Sequence, residues 1–587
     1  MMKRIKTEVL VVGAGLTGAT TALLLARHGI DTLMISRTRW VADSPRAHIV
    51  NQRTMEVMRS VGLEDACYQQ ATPGELMANH VMMTAVAGQE FGRLWSWGND
   101  PSRAGEYAAA SPSHGCDLPQ DRFEPILVGE ASRLGVKSRF DTRFISLQQD
   151  EEGVISLVED LVTGECFEVE SRYVIGADGG RSRVAKKVGL TFNGTSGLAS
   201  ALNVHFTADL SRYVAHRPGS LYWILQPGRE GALGNAMLRM VRPWHEWVVG
   251  FVHLGASVAD LSTEQIEQHV KALIQDDAIN VTIKGVYPWQ INQVIAERYS
   301  ERRVLCAGDA VHRHPPMNGL GGNTCIQDAF NLAWKIAAVL RWNAGSRLLD
   351  SYSEERQPVG QQVVDRAVRS WQQNPHVIQA LGIDPKATPE TRQAQFEELF
   401  SDSDAGERRR AMFEQAKRDK AYSYHAHGVE MNQVYVSSAV IDNGMPPVRY
   451  ERDPELYYQV SSRPGARLPH CWVDYRGRRC STLDLARPER FTLLTRTRGD
   501  AWLSTATTLA KELGCDITAL RIGPGCEVVD LYGEWSRLSE IGETGCLLVR
   551  PDQHIAWRCT HVPNDPMANL RHVFAICLAW NDTQESA

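Results

Sequence analysis

Three stretches of this chain place glycine and aspartate directly behind a short β-rich run, where a backbone can come close to a phosphate. The first is Gly13-x-Gly15-x-x-Gly18, behind Val9–Val12. Gly13 permits a tight turn, Gly15 lets the backbone approach a pyrophosphate, and Gly18 lets the following helix pack on its sheet. The N-terminus of that helix favours negative charge. The second is Tyr173-Val174-Ile175-Gly176-Ala177-Asp178-Gly179-Gly180. There a carboxylate can meet a bound cofactor while glycine clears backbone space. The third is Val304-Leu305-Cys306-Ala307-Gly308-Asp309-Ala310, continued by Pro315-Pro316-Met317-Asn318-Gly319-Leu320-Gly321-Gly322-Asn323. This proline-glycine loop opens a helix whose positive end can face a flavin ring. Each motif alone is an ordinary turn; the three in this order point to one dinucleotide gripped at separate places. An acidic ribose ligand is expected about 20 residues beyond the first motif, but Ser36-Arg37 stands there. Ser36 offers one hydrogen bond and Arg37 can lie along an adenosine, so this motif alone leaves NAD and FAD both open.

A second set of residues suits an aromatic substrate. Arg242 follows a strand-like run with Met237, Met240 and Trp244 nearby, and a buried cation there can stabilise developing anionic charge. Trp97 and Trp223 are candidate pocket walls, able to pack against a ring. His312-Arg313-His314 has no Cys or carboxylate cluster beside it in sequence, so no metal site is expected. The twelve cysteines are scattered, with no Cys-x-x-Cys, and reduced thiols are expected.

The elements that must position these residues follow from the pattern. Glu8–Val12, a helix over Gly15–His28 with Ala19, Ala22, Leu23 and Ala26 on one face, and Asp31–Ile35 form a βαβ unit. Ala201–Phe206, Leu221–Leu225 and Trp247–Val252 read as antiparallel strands inserted after the nucleotide-binding part. A long helix is expected over Ile326–Leu340, a helical connector over about Pro385–Lys420, and a small separate α/β domain from about Tyr450. At 587 residues, 43% hydrophobic and 22% charged, the chain has the composition of a multidomain globular enzyme. The formal charge of −6, with no basic run, excludes a nucleic-acid or membrane-surface reading. Met1-Met2-Lys3-Arg4 followed by Val9–Val12 is too short to serve as an export signal, so a cytoplasmic location is expected.

On these residues the chain resembles the class A FAD-dependent aromatic hydroxylases, the p-hydroxybenzoate hydroxylase superfamily. Within it the likeness is to bacterial phenol hydroxylases of the dichlorophenol and 2-hydroxybiphenyl type. It covers nearly the whole chain and includes Pro45–Glu56, Cys116-Asp117-Leu118-Pro119-Gln120, Gly308–Pro316 and Arg463–His470. The resemblance implies an α/β fold: a Rossmann-like, glutathione-reductase-like FAD domain (1–80, 118–192, 290–375), an inserted antiparallel β-sheet substrate domain (81–117, 193–289), a helical connector (376–449), and a thioredoxin-like domain (450–587). It implies that Gly13, Gly15 and Gly18 hold the FAD diphosphate, that Asp178-Gly179 serves FAD and NAD(P)H together, and that Asp309 meets the FAD ribose. Arg46 and Gln120 match positions that contact FAD, with Pro316, Gly319, Gly321 and Asn323 in the flavin loop. A homodimer or homotetramer is implied.

The implied reaction is ortho-hydroxylation of a substituted phenol. NAD(P)H reduces FAD, and the reduced flavin captures O₂ as a C4a-hydroperoxide whose distal oxygen attacks an electron-rich ring. A phenolate is richer than a phenol, whose pKa is about 10. A base is therefore needed near neutral pH, and His48, oriented by Asp117, is the candidate. The runner-up substrate is a bulkier 2-substituted phenol. A flavin reductase of the disulfide-reductase type would need a second Gly-x-Gly-x-x-Gly unit and a redox cysteine pair, and neither is present. A non-catalytic FAD-binding scaffold is the reading from outside enzymology.

Overall fold

The parallel strands form where the sequence is apolar without alternation, because both faces of such a sheet are covered. In the computed structural model, which describes residues 2–229, 235–252, 261–442 and 444–580, Val9–Val12 and Thr32–Ile35 are buried at every position. They lie in a six-stranded sheet of order Ser300–Glu301, Val304–Cys306, Tyr173–Gly176, Val9–Val12, Thr32–Ile35, Lys137–Arg139. Only the edge strand Ser300–Glu301 is antiparallel. Helices Leu16–Arg27, Gln120–Arg133 and Gly321–Arg341 pack around this core. The last begins at Gly321 rather than Ile326. Its first turn is held by polar side chains, with Thr324 Oγ1 donating to Leu320 O at 2.9 Å and Asn323 Nδ2 donating to Gly319 O at 2.6 Å. A four-stranded sheet (Arg4–Lys6, Cys166–Ser171, Val154–Asp160, Thr142–Gln149) was not expected from the sequence.

The inserted sheet has eight strands, in the order His312–Arg313, Thr282–Ala296, Phe192–Thr207, Glu246–Val252, Asn235–Arg242, Leu221–Leu225, Asn79–Met83, Glu90–Trp95. It is mixed rather than wholly antiparallel, since Leu221–Leu225 runs parallel to Asn79–Met83. Those two strands come from separate passes of the chain, and no hairpin dictates their direction. Long strands Phe192–Thr207 and Thr282–Ala296 cross the boundaries expected near 192 and 289, and Asn79–Met83 crosses the one expected near 80. Side chains alternate between the two faces. Val81, Tyr222, Leu238 and Trp247 pack under helix Thr263–Ile274. On the opposite face, Met82, Trp223 and Leu225 are covered by Phe396, Leu399 and Phe413 of the connector. That connector is helical at Pro389–Glu397 and Asp404–Lys420.

The last domain is a βαβ unit (Phe491–Thr495, Asp500–Leu513, Ile517–Arg521) followed by an antiparallel pair, Cys546–Val549 with Ile555–Cys559, and helix Pro566–Cys577. That is a thioredoxin-like arrangement, and all its cysteines are free. Among the described residues no helix is long and apolar enough to cross a membrane, and no cluster of three metal-ligating side chains occurs.

Buried charges dock this domain. Lys335 Nζ lies 2.7 Å from Glu355 Oε2, and Arg550 meets both Glu355 oxygens at 2.6 and 2.8 Å. All three are fully buried. Burial alone would raise the Glu355 pKa, but Arg550 and Lys335 overcome it and hold it below the ordinary range. A carboxylate depressed in the folded state stabilises the fold above its unfolded pKa and loses that contribution as pH falls. Glu355→Ala, which strands buried Lys335 and leaves Arg550 with Asp552 alone, is expected to cost about 3–5 kcal/mol near neutral pH. Thermal unfolding at neutral and acid pH checks this, and the deficit should narrow in acid.

Candidate active site

The register of the parallel sheet brings the three glycine motifs together. Ile35 is paired with Val12, Val12 with Gly176, and Gly176 with Cys306. The next residues, Ser36, Gly13, Ala177 and Ala307, therefore leave the sheet side by side at its carboxyl edge, where open α/β sheets bind ligands. Gly13 has φ +115°, and a Cβ there would sit 2.1 Å from Ala177 O; one at Gly18 would sit 1.9 Å from Gly13 O. The turn thus closes only without side chains. Gly15 enters helix Leu16–Arg27 with no cap of its own; Leu16 N is held by Glu124 at 3.1 Å, and the rest of the first turn presents its N–H groups at a positive helix end. Asp309 is exposed at the rim, and so are Arg46, Arg37 and Pro316. This cradle, with uncapped N–H groups and an exposed carboxylate, fits a dinucleotide diphosphate and ribose.

Several expected cofactor ligands are engaged locally. Asp178 accepts from Ser182 Oγ at 2.5 Å, Arg183 N at 2.6 Å and Val184 N at 3.2 Å, closing the turn into helix Arg183–Lys187. Gly179 turns the chain there with φ +77°. Ser36 Oγ bonds to Thr38 Oγ1 at 2.8 Å. Asn323 accepts from Asn51 N at 2.9 Å and donates to Ile49 O and Gly319 O. Its side chain is a tie between helix and strand, not a free ligand. Gly319 (φ +62°) lies against Ile49, and Gly321 lies near His314. Gln120 donates to Glu124 Oε1 at 2.5 Å, and Glu124 also accepts from Leu16 N and Ala42 N. Burial raises the Glu124 pKa. This buried carboxylate beside the glycine turn escaped the sequence reading, although it stands one helical turn beyond Gln120.

His48 and Asp117 meet as expected. Ile49–Val50 pairs with Cys116–Asp117, and Leu118 N donates to His48 O at 2.7 Å. This backbone clasp sets His48 Nδ1 2.7 Å from Asp117 Oδ2. With Nδ1–H donated to the carboxylate, Nε2 keeps its lone pair. The His48 side chain is 14% exposed and Asp117 1%. Burial, followed by the charge of Arg239, lowers the His48 pKa against the opposing pull of Asp117.

The buried cation is Arg239, not Arg242. Arg242 is 52% exposed and lies 3.7 Å from Glu246, on the surface. Arg239 is 7% exposed, and its Nε and Nη2 have no hydrogen-bond partner. Burial pulls its pKa down to about 10 against the charges of Asp117 and Asp121. Strand alternation was the available signal, because counting by two from Met237 reaches 239.

The two tryptophans belong to one aromatic wall, joined by residues that the sequence did not suggest. Tyr424 packs edge-on against Trp97 at 5.5 Å and against His80 at 4.8 Å; His80 lies 6.2 Å from Trp223. Trp97 Nε1 donates to Ser220 Oγ at 3.1 Å. Trp223 is buried deep in the connector-covered cluster.

Residues 6–367 match the family described as FAD binding domain, and residues 461–578 match the family described as aromatic-ring hydroxylase, C-terminal. The chain belongs to the FAD-dependent aromatic-ring hydroxylases. This hydroxylase is 47% identical over 556 residues to a 2,4-dichlorophenol 6-monooxygenase of Delftia acidovorans, covering 94% of this chain and 95% of the relative. It is 40% identical to a phenol 2-monooxygenase of Pseudomonas sp. (strain EST1001), covering 98% and 93%. It superposes with TM-score 0.93, at 43% identity over 98% and 100% of the two chains, on the flavin-dependent monooxygenase PieE solved with FAD and substrate.

Gly13→Ala is expected to leave the purified hydroxylase with less than about a tenth of the wild-type FAD, because a Cβ there collides with Ala177 O and opens the turn that carries Gly15 to the pyrophosphate. The ratio of flavin to protein absorbance measures it, and a wild-type ratio would contradict the cradle.

Proposed function

We propose that this hydroxylase adds one oxygen atom of O₂ to a substituted phenol, beside the existing hydroxyl, to give a catechol, with FAD bound and NAD(P)H as reductant. The reading rests above all on the His48–Asp117 pair, with its free imidazole nitrogen and the buried Arg239 charge behind it. Relatives named for phenol and 2,4-dichlorophenol support a neutral ring substrate.

Gly13, Gly15, Gly18 and the helix end behind them would hold the FAD diphosphate, with Asp309 at the ribose and Arg46 at the rim. Once reduced by NAD(P)H, FAD supplies an electrophilic oxygen atom drawn from O₂. The protein's task is to present the ring in its ionised form. His48 Nε2 takes the phenol proton. Asp117 fixes the tautomer and stabilises the resulting imidazolium without becoming protonated. Arg239 offers positive charge to the phenolate in a site shielded from water, where such charge counts most. The lowered His48 pKa keeps the ring unprotonated near neutral pH, ready to act as base. The proton it holds can then return to an oxygen of the product.

NADPH and NADH oxidation across a panel of phenols, with catechol and peroxide quantified together, tests the assignment; peroxide without catechol for every phenol would refute it. His48→Ala should retain FAD yet lose about 10²–10⁴-fold in hydroxylation. The pH profile carries a sharper signature. Activity rises with pH as His48 loses its proton, so the acid limb lies below the ordinary imidazole range. Removing the Arg239 charge lifts one of the causes of that depression. Arg239→Met should therefore move the acid limb to higher pH, whereas Arg242→Met should leave it in place.

A further inference from the structure

The face of the inserted sheet that looks toward the dyad carries a row of three side chains set by strand register. His80 is paired with Leu221, and Leu221 with Arg239. Residues paired this way project to the same side. Adjacent strands lie about 4.8 Å apart, so His80 and Arg239 stand about 10 Å apart at the backbone, with Leu221 between them. Leu221 is half-buried, an apolar seat for a ring. Arg239 marks the end where the phenolic oxygen meets His48.

His80 closes the other end. It is 0% exposed, and neither ring nitrogen has a hydrogen-bond partner. Tyr424, in a T-shaped contact at 4.8 Å, and Trp223, tilted at 6.2 Å, flank it, so it is a polar interruption in an apolar wall. Leaving two buried polar atoms unpaired is costly unless a bound molecule uses them. The charged group facing it is Lys420, and burial together with that charge holds the imidazole pKa down to about 3. His80 is therefore neutral, with one N–H donor and one lone pair.

We infer that His80 reads the ring substituent on the side away from the hydroxyl, and that the hydroxylase favours phenols bearing a halogen or hydrogen-bonding group there over alkyl phenols of the same size. Tyr424, on the loop after helix Asp404–Lys420, must turn aside for the substituent to reach it. This rests on the phenol-hydroxylase reading above, because it places the hydroxyl at the dyad.

The test is equilibrium binding to the oxidised FAD holoenzyme, without NAD(P)H, followed by perturbation of the flavin absorbance. 4-Nitrophenol, 4-chlorophenol, 4-methylphenol and phenol are the probes. Wild type should bind 4-nitrophenol at least roughly 10-fold tighter than 4-methylphenol, the size of one hydrogen bond, with 4-chlorophenol between them. In His80→Leu that ratio should fall roughly 10-fold from its wild-type value, with FAD binding retained, because the acidity of the phenols toward the dyad is the same in both proteins. An unchanged ratio in His80→Leu overturns the inference, as does a wild type that binds all four phenols without preference. Wild type binding none of them would instead overturn the phenol reading itself. Should His80→Leu not fold, Tyr424→Ala decides: uncovering His80 should raise the preference for 4-nitrophenol over 4-methylphenol, and no change there refutes the role.

Discussion

The structure depends on a backbone contact too close for any side chain. Strands ending at Val12 and Gly176 run in register, and the chain leaving the first must turn past Ala177 O within the space a Cβ would fill. That packing aligns the exits of the parallel strands, from Ser36 to Ala307. It also aims the Leu16–Arg27 helix end at the same point. A helix end and a row of free N–H groups cannot be assembled from distant segments unless the sheet fixes their relative height. Here the ladder of Val9–Val12 with its two neighbours does so. The second and third motifs can then be ordinary Asp-Gly turns locally, as the capping role of Asp178 makes plain, and still contribute to one site.

Buried charge then holds the remaining pieces against that sheet. Helix Gln52–Ser60 begins four residues beyond His48. Its Glu56 is gripped by Arg467 from the start of the last domain and by Arg53 and Ser111. Arg53 in turn reaches Asp552 O and Gln553. Desolvating such groups nearly cancels their attraction, so they add little net stability over apolar packing. They do reject misalignment, because any displacement leaves a charge buried and unpaired. The thioredoxin-like domain, which carries no redox cysteine pair, is thereby locked to the helix that follows His48.

What the sequence made legible divides along the range of the contacts involved. Glycine turns, the first βαβ unit and the connector helices follow from local spacing, and they lie where expected. His48 with Asp117 was reached through family likeness, since nothing in 68 intervening residues indicates that Ile49–Val50 and Cys116–Asp117 form a two-residue ladder. Arg239 was missed although local alternation pointed to it. Met237 and Arg239 share a face, whereas Arg242 lies beyond a register shift and emerges at the surface. Glu124 was overlooked because a glutamate in a helix usually faces solvent, and only the return of Leu16 N and Ala42 N to it explains its burial. His80 and Tyr424 were illegible for a different reason. Their contact joins an early strand to a loop more than 300 residues later, and no residue pattern in either segment announces it.

The dyad's rigidity follows from where its distance is set. A histidine and a carboxylate on flexible loops would have to lose side-chain freedom to meet. Here the His48 carbonyl is already fixed by Leu118 N, and the paired strands hold both Cα positions. The side chains need choose only their rotamers. The orientation of the His48 ring toward Asp117 is therefore established by the backbone itself. The same economy explains the asymmetry around the site. His48 and Asp117 are pinned by backbone, whereas the aromatic wall joins His80 and Trp223 of the sheet and Trp97 to a single connector side chain, Tyr424.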